Sequence, residues 1–354
     1  MSLTQIIFLD AFVFLVSYIT VRIVKIYAKK YGWVAKPRQD RWHKEETALH
    51  GGVGFIPWII IGILFTLLLE NYLAQLDSSQ ISIIRVIASG ATILFIAGLV
   101  DDFHPLHPRV KFLIQLVPVF AFIYFTDIFE FTPIPLFNYF IAGIWIVGIV
   151  NAVNLLDNMD GLSSGIVLIS SFTLIFISVI TYPYISPSLL IASILASGLL
   201  GFLIHNYPPA SIFMGDSGSL PLGFIIAILS FPNSLNSNFY DISSNGFWMG
   251  FDALMVSILI LTVPILDTTF VTVSRLYRSV KISQGGRDHT SHMLVQKGFS
   301  EKVSINILFF INVVGGLLAT LSITNPNFIL QYFICYMALV ALFGLYLGLS
   351  SRTC

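Results

Sequence analysis

Four short stretches hold most of the side chains in this 354-residue chain that could do chemistry: LVDDFHPLHPRVKF (99–112), NAVNLLDNMDG (151–161), HNYPPASIFMGDSGS (205–219) and GGRDHTSHMLVQKG (285–298). In the second, Asn151, Asn154, Asp157 and Asp160 recur every three residues, which on a helix lays them along one slowly drifting face. Acids at a helix C-terminus oppose its macrodipole, so Asp157 and Asp160 together require a compensating cation or a set of donors. Asn151 and Asn158, taken alone, read as caps or interface anchors. In the first stretch, Asp101 and Asp102 are adjacent carboxylates whose side chains point apart. One can face a metal or a donor while the other acts as a base or holds a neighbouring lysine, and Pro105 and Pro108 stiffen the turn that returns Arg109 and Lys111 towards them. In the third, Asp216 stands between Gly215 and Gly218, which let the backbone approach a bulky anion. The helix that follows can offer free amides to a phosphate, and Asp216 suits Mg2+, a hard cation that takes oxygen ligands beside substrate phosphates. In the fourth, His289 and His292 follow Arg287 and Asp288 with no cysteine or third histidine nearby, so phosphate contact fits better than a closed zinc site.

Carboxylates mixed with arginine, lysine, histidine and glycine turns suggest Mg2+ holding a phosphorylated ligand, and phosphoryl transfer asks a protein mainly for positioning and charge neutralisation. The chain has neither a GxxxxGK[ST] loop nor a GxGxxG fingerprint, which leaves a P-loop ATPase or a Rossmann enzyme without support. Its formal net charge is zero, so no global field argues for nucleic acid.

The elements that must position these residues are unusual in composition: 56% of the chain is hydrophobic and 10% charged, against about 25% charged in a soluble domain. Apolar runs of about 20 residues, enough to cross about 30 Å of hydrocarbon, recur along the whole length. The expected fold class is all-α, a polytopic membrane helical bundle forming one integral membrane domain over 1–354. About eleven transmembrane helices are expected, near 5–27, 52–73, 82–100, 110–126, 136–154, 162–182, 187–205, 218–231, 247–276, 305–323 and 328–349. Pro264 should kink or interrupt the ninth. Basic residues prefer the cytoplasmic side. Eight of them lie between Arg22 and Lys44, Arg109 and Lys111 follow, six run from Arg275 to Lys302, and Arg352 is near the end. With eleven spans all of these share one side, while Glu70, Asp77, Asp127, Glu130 and Asp241 lie opposite and Arg85 alone dissents. The expected N-terminus is therefore outside and the C-terminus cytoplasmic, with an active site built from loops 28–51, 101–111, 151–161, 205–218 and 277–303. A rival from another class is an ion-coupled transporter using the intramembrane acids Asp10, Asp252 and Asp267.

The ordered set LVDD…PRVKFLIQ, NAVNLLDNMDGL, PPASIFMGDSGSLPLGF, PILDTTFVTVSRL and GGRDHTSHMLVQKGFS resembles the polyprenyl-phosphate N-acetylhexosamine-1-phosphate transferases, multispanning enzymes that include the phospho-N-acetylmuramoyl-pentapeptide transferase of peptidoglycan synthesis. The resemblance implies transfer of a sugar 1-phosphate from a UDP-sugar to polyprenyl (undecaprenyl) phosphate, with release of UMP and a requirement for Mg2+ or Mn2+. It places that step at the cytoplasmic face of the inner membrane, at the start of cell-surface polysaccharide synthesis, and leaves a homodimer possible. Carried over residue by residue, it implies Asp216 as the metal ligand, Asp101 and Asp102 as the pair that activates the lipid phosphate or arranges the metal, and Lys111 as the basic residue beyond them. Asn154 and Asp157 match an Asn-Leu-x-Asp motif at the catalytic centre, with Asp157 catalytic and Asp160 beside it towards substrate. His289, His292 and Arg287 match the histidine motif that meets the sugar nucleotide. Two departures bear on the identity of the sugar: Ser291 stands where a third histidine is usual, and His50 where an arginine is common. HGGVG (50–54) also lacks the methionine-glycine-glycine start of the pentapeptide enzyme, which favours a simple N-acetylhexosamine donor.

Overall fold

The computed structural model describes residues 3–36, 46–69, 74, 76–126, 134–182, 184–231, 249–279, 286 and 288–349. Arg287, parts of loops 28–51 and 277–303, and the orientation markers Arg38, Arg41, Lys44, Glu70, Asp127, Glu130, Asp241, Lys281 and Arg352 lie outside the described residues. The chain runs α1 (Leu3–Tyr31), β1 (Val34–Ala35), β2 (Thr47–Ala48), α2 (Gly52–Thr66), α3 (Ser78–Phe103), α4 (Pro108–Phe125), α5 (Pro135–Leu156), α6 (Leu162–Thr181), α7 (Pro187–Asn206) and α8 (Asp216–Leu229). Then come α9 (Met249–Ile260), α10 (Thr262–Tyr277), the short α11 (Thr290–Gln296), α12 (Glu301–Thr324) and α13 (Ile329–Leu349).

Continuous apolar runs satisfy their own backbone only as helices, and local residues mark where they begin. Proline sits in the first turn of α4, α5 and α7, where no amide partner is lost. Asp77 and Gln80 close a capping box on α3, and Ser186 and Ser300 cap α7 and α12. Among the described residues eight helices have the length and composition of a membrane span, and the α9–α10 pair, bent by 86°, makes up to nine. The other two of the expected runs are α2 and α8, with 15 and 14 residues. At 1.5 Å per residue each is about 22 Å long, short of the hydrocarbon thickness.

α8 is the centre of the bundle: every residue from Ser217 to Leu229 is buried, with α2, α3, α5 and α6 packed around it. Large apolar side chains on the outer faces of α1, α4, α12 and α13 are exposed, Tyr124, Phe310 and Leu339 among them, and these are the faces a bilayer covers. The chain is a multi-pass membrane protein.

The bend of α9–α10 lies at Leu261, three residues before the proline expected to cause it. Pro264 cannot donate to the Ile260 carbonyl one turn back. That carbonyl instead accepts from the Ser170 hydroxyl at 2.9 Å, Ser170 in turn accepts from Asn312 at 3.1 Å, and the Asn312 carbonyl lies 3.4 Å from the Val263 amide. Ser170 and Asn312 are fully buried, so the broken turn is re-satisfied without water.

Candidate active site

The C-terminal ends of α1, α3, α5 and α7 and the N-terminal ends of α2, α4, α6 and α8 meet at one end of the bundle, and the polar stretches meet there with them. β2 pairs with β1 on one side and bridges to Ile212 on the other. The Gly51 and Gly52 amides donate to the Phe213 and Met214 carbonyls at 2.8 and 2.9 Å. The loop before α8 is thereby clamped to the start of α2. Gly215 takes φ 76° with the Asp102 carboxylate so near that an added Cβ would lie 2.6 Å from it.

This close approach gives the α8 N-terminus its occupant. Asp102 accepts from the Asp216 amide (2.8 Å), the Ser217 amide (3.2 Å) and the Ser217 hydroxyl (2.6 Å), while the Gly218 and Ser219 amides turn back to the Gly215 carbonyl. The sequence suggested these amides for a substrate phosphate. In the fold a carboxylate from α3 takes the place, as favourable a charge for a helix N-terminus as a phosphate is. His50, at φ 64°, stacks on Phe103 with ring centroids 4.3 Å apart and brings Nδ1 to 3.8 Å from Asp102.

Asp101 points the other way. It accepts from the Leu106 amide at 2.8 Å, and its second oxygen is 3.0 Å from the Lys111 ammonium, which also pairs with Asp216. Asn154 donates to Asp216 at 2.9 Å and to Ser219 at 2.8 Å. One turn back on α5, Asn151 exchanges bonds with Gln115 of α4 at 2.8 and 3.4 Å, the anchoring role expected of it. Asp157 stands just past the end of α5 and accepts from the Gly215 amide. Burial first, and then the charges of Asp216, Asp102 and Asp160, hold its carboxyl well above the ordinary carboxylate range against the pull of that amide. Asp160 accepts from the Ala210 amide at 2.7 Å and so pins the loop leading to Asp216.

The histidine stretch docks against the same strip: the Ser291 hydroxyl donates to Asn158 at 2.9 Å. His289 Nδ1 lies 2.7 Å from Asp267, which is 0% exposed and also accepts from the Thr290 amide and hydroxyl at 2.7 Å each. The His289 and His292 rings meet edge to face at 5.6 Å, and both residues are buried. Asp288 takes Arg275 through two bonds of 2.8 Å and Arg278 through one of 2.9 Å. Burial raises its carboxyl, but Arg275 outweighs burial and leaves it below the usual value.

Asp101, Asp102, Lys111, Asn154, Asp157 and Asp216 thus form one cluster, Asp160 braces it, and His289 and His292 adjoin it through Asn158. Sequence reasoning did not include Asp267, Ser217, Ser219 or Asn158 in the site. For Asp267 the one available signal was a single acid in the apolar run PILDTTF, which equally suggested an ion path. Among the described residues no three His, Cys, Asp or Glu side chains stand as a ready-made metal cage. The donor chemistry nonetheless fits a hard divalent cation: oxygen ligands only, and an ammonium already drawn between Asp101 and Asp216.

Residues 84–232 match the model of glycosyl transferase family 4. The chain is 31% identical over 348 residues to a probable undecaprenyl-phosphate N-acetylglucosaminyl 1-phosphate transferase of Bacillus subtilis, covering 93% of this chain and 90% of that protein. The chain belongs to glycosyl transferase family 4. It is also 26% identical to a decaprenyl-phosphate N-acetylglucosaminephosphotransferase of Mycolicibacterium smegmatis, over 83% of this chain and 76% of that one. With a phospho-N-acetylmuramoyl-pentapeptide-transferase of Streptococcus agalactiae it shares 34% over 59% of this chain and 67% of that one. The segment matched to family 4 contains the whole Asp101–Lys111–Asn154–Asp157–Asp216 cluster and stops short of the histidine stretch.

Proposed function

We propose that this protein transfers N-acetylhexosamine 1-phosphate, with N-acetylglucosamine as the first sugar to test, from its UDP-sugar to polyprenyl phosphate in the inner membrane, with the site facing the cytoplasm. The observation that carries the reading is the joining of Asp101, Lys111, Asn154, Asp157 and Asp216 from three distant turns at one end of a membrane bundle. The two N-acetylglucosamine relatives cover more of the chain than the pentapeptide relative does, which favours the simpler donor.

An oxygen of the lipid phosphate attacks the β-phosphorus of the UDP-sugar; that P–O bond forms, the bond to the α-phosphate breaks, and UMP leaves. One phosphoanhydride replaces another, so the equilibrium lies near balance. Asp157, with its raised proton affinity, takes any proton left on the acceptor phosphate. Lys111 neutralises phosphate charge from its place between Asp101 and Asp216. Asn154 fixes the Asp216 carboxylate, Asp102 fixes the helix that bears it, and His289 and His292, on the segment that Ser291 ties to Asn158, would meet the donor. Asp216 would hold Mg2+ or Mn2+, which would supply charge neutralisation at the pyrophosphate.

The test uses the full chain in detergent with radiolabelled UDP-N-acetylglucosamine and polyprenyl phosphate, with Mg2+ and with chelator. The expected result is a lipid-linked sugar product formed only with metal, together with exchange of labelled UMP into the donor. Folded protein that yields no lipid product with this or any other UDP-N-acetylhexosamine overturns the reading.

A further inference from the structure

We infer that Asp267 is a positioning residue that fixes the tautomer of His289. The inference rests on the reaction proposed above for its functional consequence, though not for its structural test. Asp267 lies on α10, is 0% exposed, and makes three bonds of 2.7 Å to one short segment: His289 Nδ1, the Thr290 amide and the Thr290 hydroxyl. A buried carboxylate with three such partners is an acceptor in each of them. Nδ1 of His289 therefore carries a hydrogen, and Nε2 is left as the ring nitrogen that can face a ligand. The same carboxylate caps α11 through Thr290, so ring orientation and helix position are set by one side chain. Ser291 then ties α11 to Asn158, next to Asp157, at 2.9 Å, which joins the segment that Asp267 orients to the site. An ion-transport role for Asp267 does not suit a carboxylate already engaged in this way.

The Asp267→Asn variant gives a sharp test because the Thr290 backbone N–H cannot exchange roles. The asparagine oxygen must accept from that amide, so its NH2 faces His289 Nδ1 and forces the hydrogen onto Nε2. The fold keeps its shape while the nitrogen presented to a ligand changes from acceptor to donor. In the full-length protein in detergent, 15N-histidine NMR with His289 assigned by substitution should show the Nδ1–H form in the wild type and the Nε2–H form in Asp267→Asn. Sugar-phosphate transfer should fall about a hundredfold or more in the variant, as it does when a carboxylate–histidine pair is given the wrong tautomer, with the melting temperature retained. Thr290→Val, which loses one hydroxyl bond and keeps the amide bond, should stay within a few-fold of wild type.

A wild-type His289 in the Nε2–H form overturns the inference, and this reading needs no variant to fold. An Asp267→Asn protein that keeps the Nδ1–H form, or that switches tautomer without losing turnover, overturns it too, as does a Thr290→Val protein as impaired as Asp267→Asn. Wild-type protein that shows the expected tautomer yet transfers no sugar phosphate would count against the proposed reaction and leave the assignment of Asp267 standing.

Discussion

Asp102→Ala separates the two members of the aspartate pair. The substitution strips the acceptor from the Asp216 and Ser217 amides at the head of α8, and Ser217 is fully buried. An unpaired buried amide costs about 1–3 kcal/mol, and loss of a negative charge at a helix N-terminus costs about 0.3–2 kcal/mol more. For the two amides together with the charge the expected destabilisation is about 2–8 kcal/mol, which at roughly 2–4 °C per kcal/mol corresponds to a melting drop of about 4 °C or more. Asp101→Asn keeps an acceptor for the Leu106 amide and loses only a partly exposed ion pair with Lys111, worth about 0–1 kcal/mol. The two variants, compared by thermal unfolding in detergent followed on a size-exclusion column, should therefore part company. Asp102→Ala should melt well below wild type, and Asp101→Asn should melt near it while losing transfer. An Asp102→Ala protein as stable as wild type would refute the reasoning, as would an Asp101→Asn protein that falls equally far.

Three further outcomes follow from the same geometry. Asp157 has a folded-state carboxyl raised above its unfolded value, so its contribution to stability is present at low pH and is lost as pH rises through the folded value. In chelator, Asp157→Asn should therefore melt further above wild type as pH rises, and converge with it as pH falls towards the ordinary carboxylate value of about 4; parallel curves would contradict this. Lys111→Met removes the ammonium between Asp101 and Asp216. A hydrogen bond to a charged group is worth about 1.5–3 kcal/mol, so Mn2+ followed by electron paramagnetic resonance should bind about tenfold tighter or more, even as transfer is lost. Gly98→Ala would drive a methyl group into the Asp216 carbonyl and the Ser217 amide, backbone atoms of the central helix that cannot yield. It should abolish the monodisperse folded peak, and a normal elution profile would count against the packing of α3 on α8.

Much of this molecule is legible in local pattern. Among the described residues each of the apolar runs is helical, the ninth as two helices, because a backbone in hydrocarbon must bond to itself and about 20 apolar residues are enough to say so. The polar stretches stand out against that background, and the directions of Asp101 and Lys111 follow from a two-proline turn. The bend before Pro264 was legible to within three residues, since proline leaves a carbonyl unpaired wherever it stands. The eighth run showed as a short one, yet nothing in it foretold that Asp102 would take the amides at its head.

What the sequence by itself determined is the solvent, the helices, and the kinds of side chain available at one end of the bundle. The tertiary structure alone decided which partner each of them takes: Asp102 with the head of α8, Asp267 with His289 and Thr290, Ser291 with Asn158. The physical reason is range. Apolar periodicity and capping act within a few residues and are written in adjacent letters. A buried carboxylate takes whichever donors the packing of distant helices brings within about 3 Å, and that distance exists only once the chain has folded.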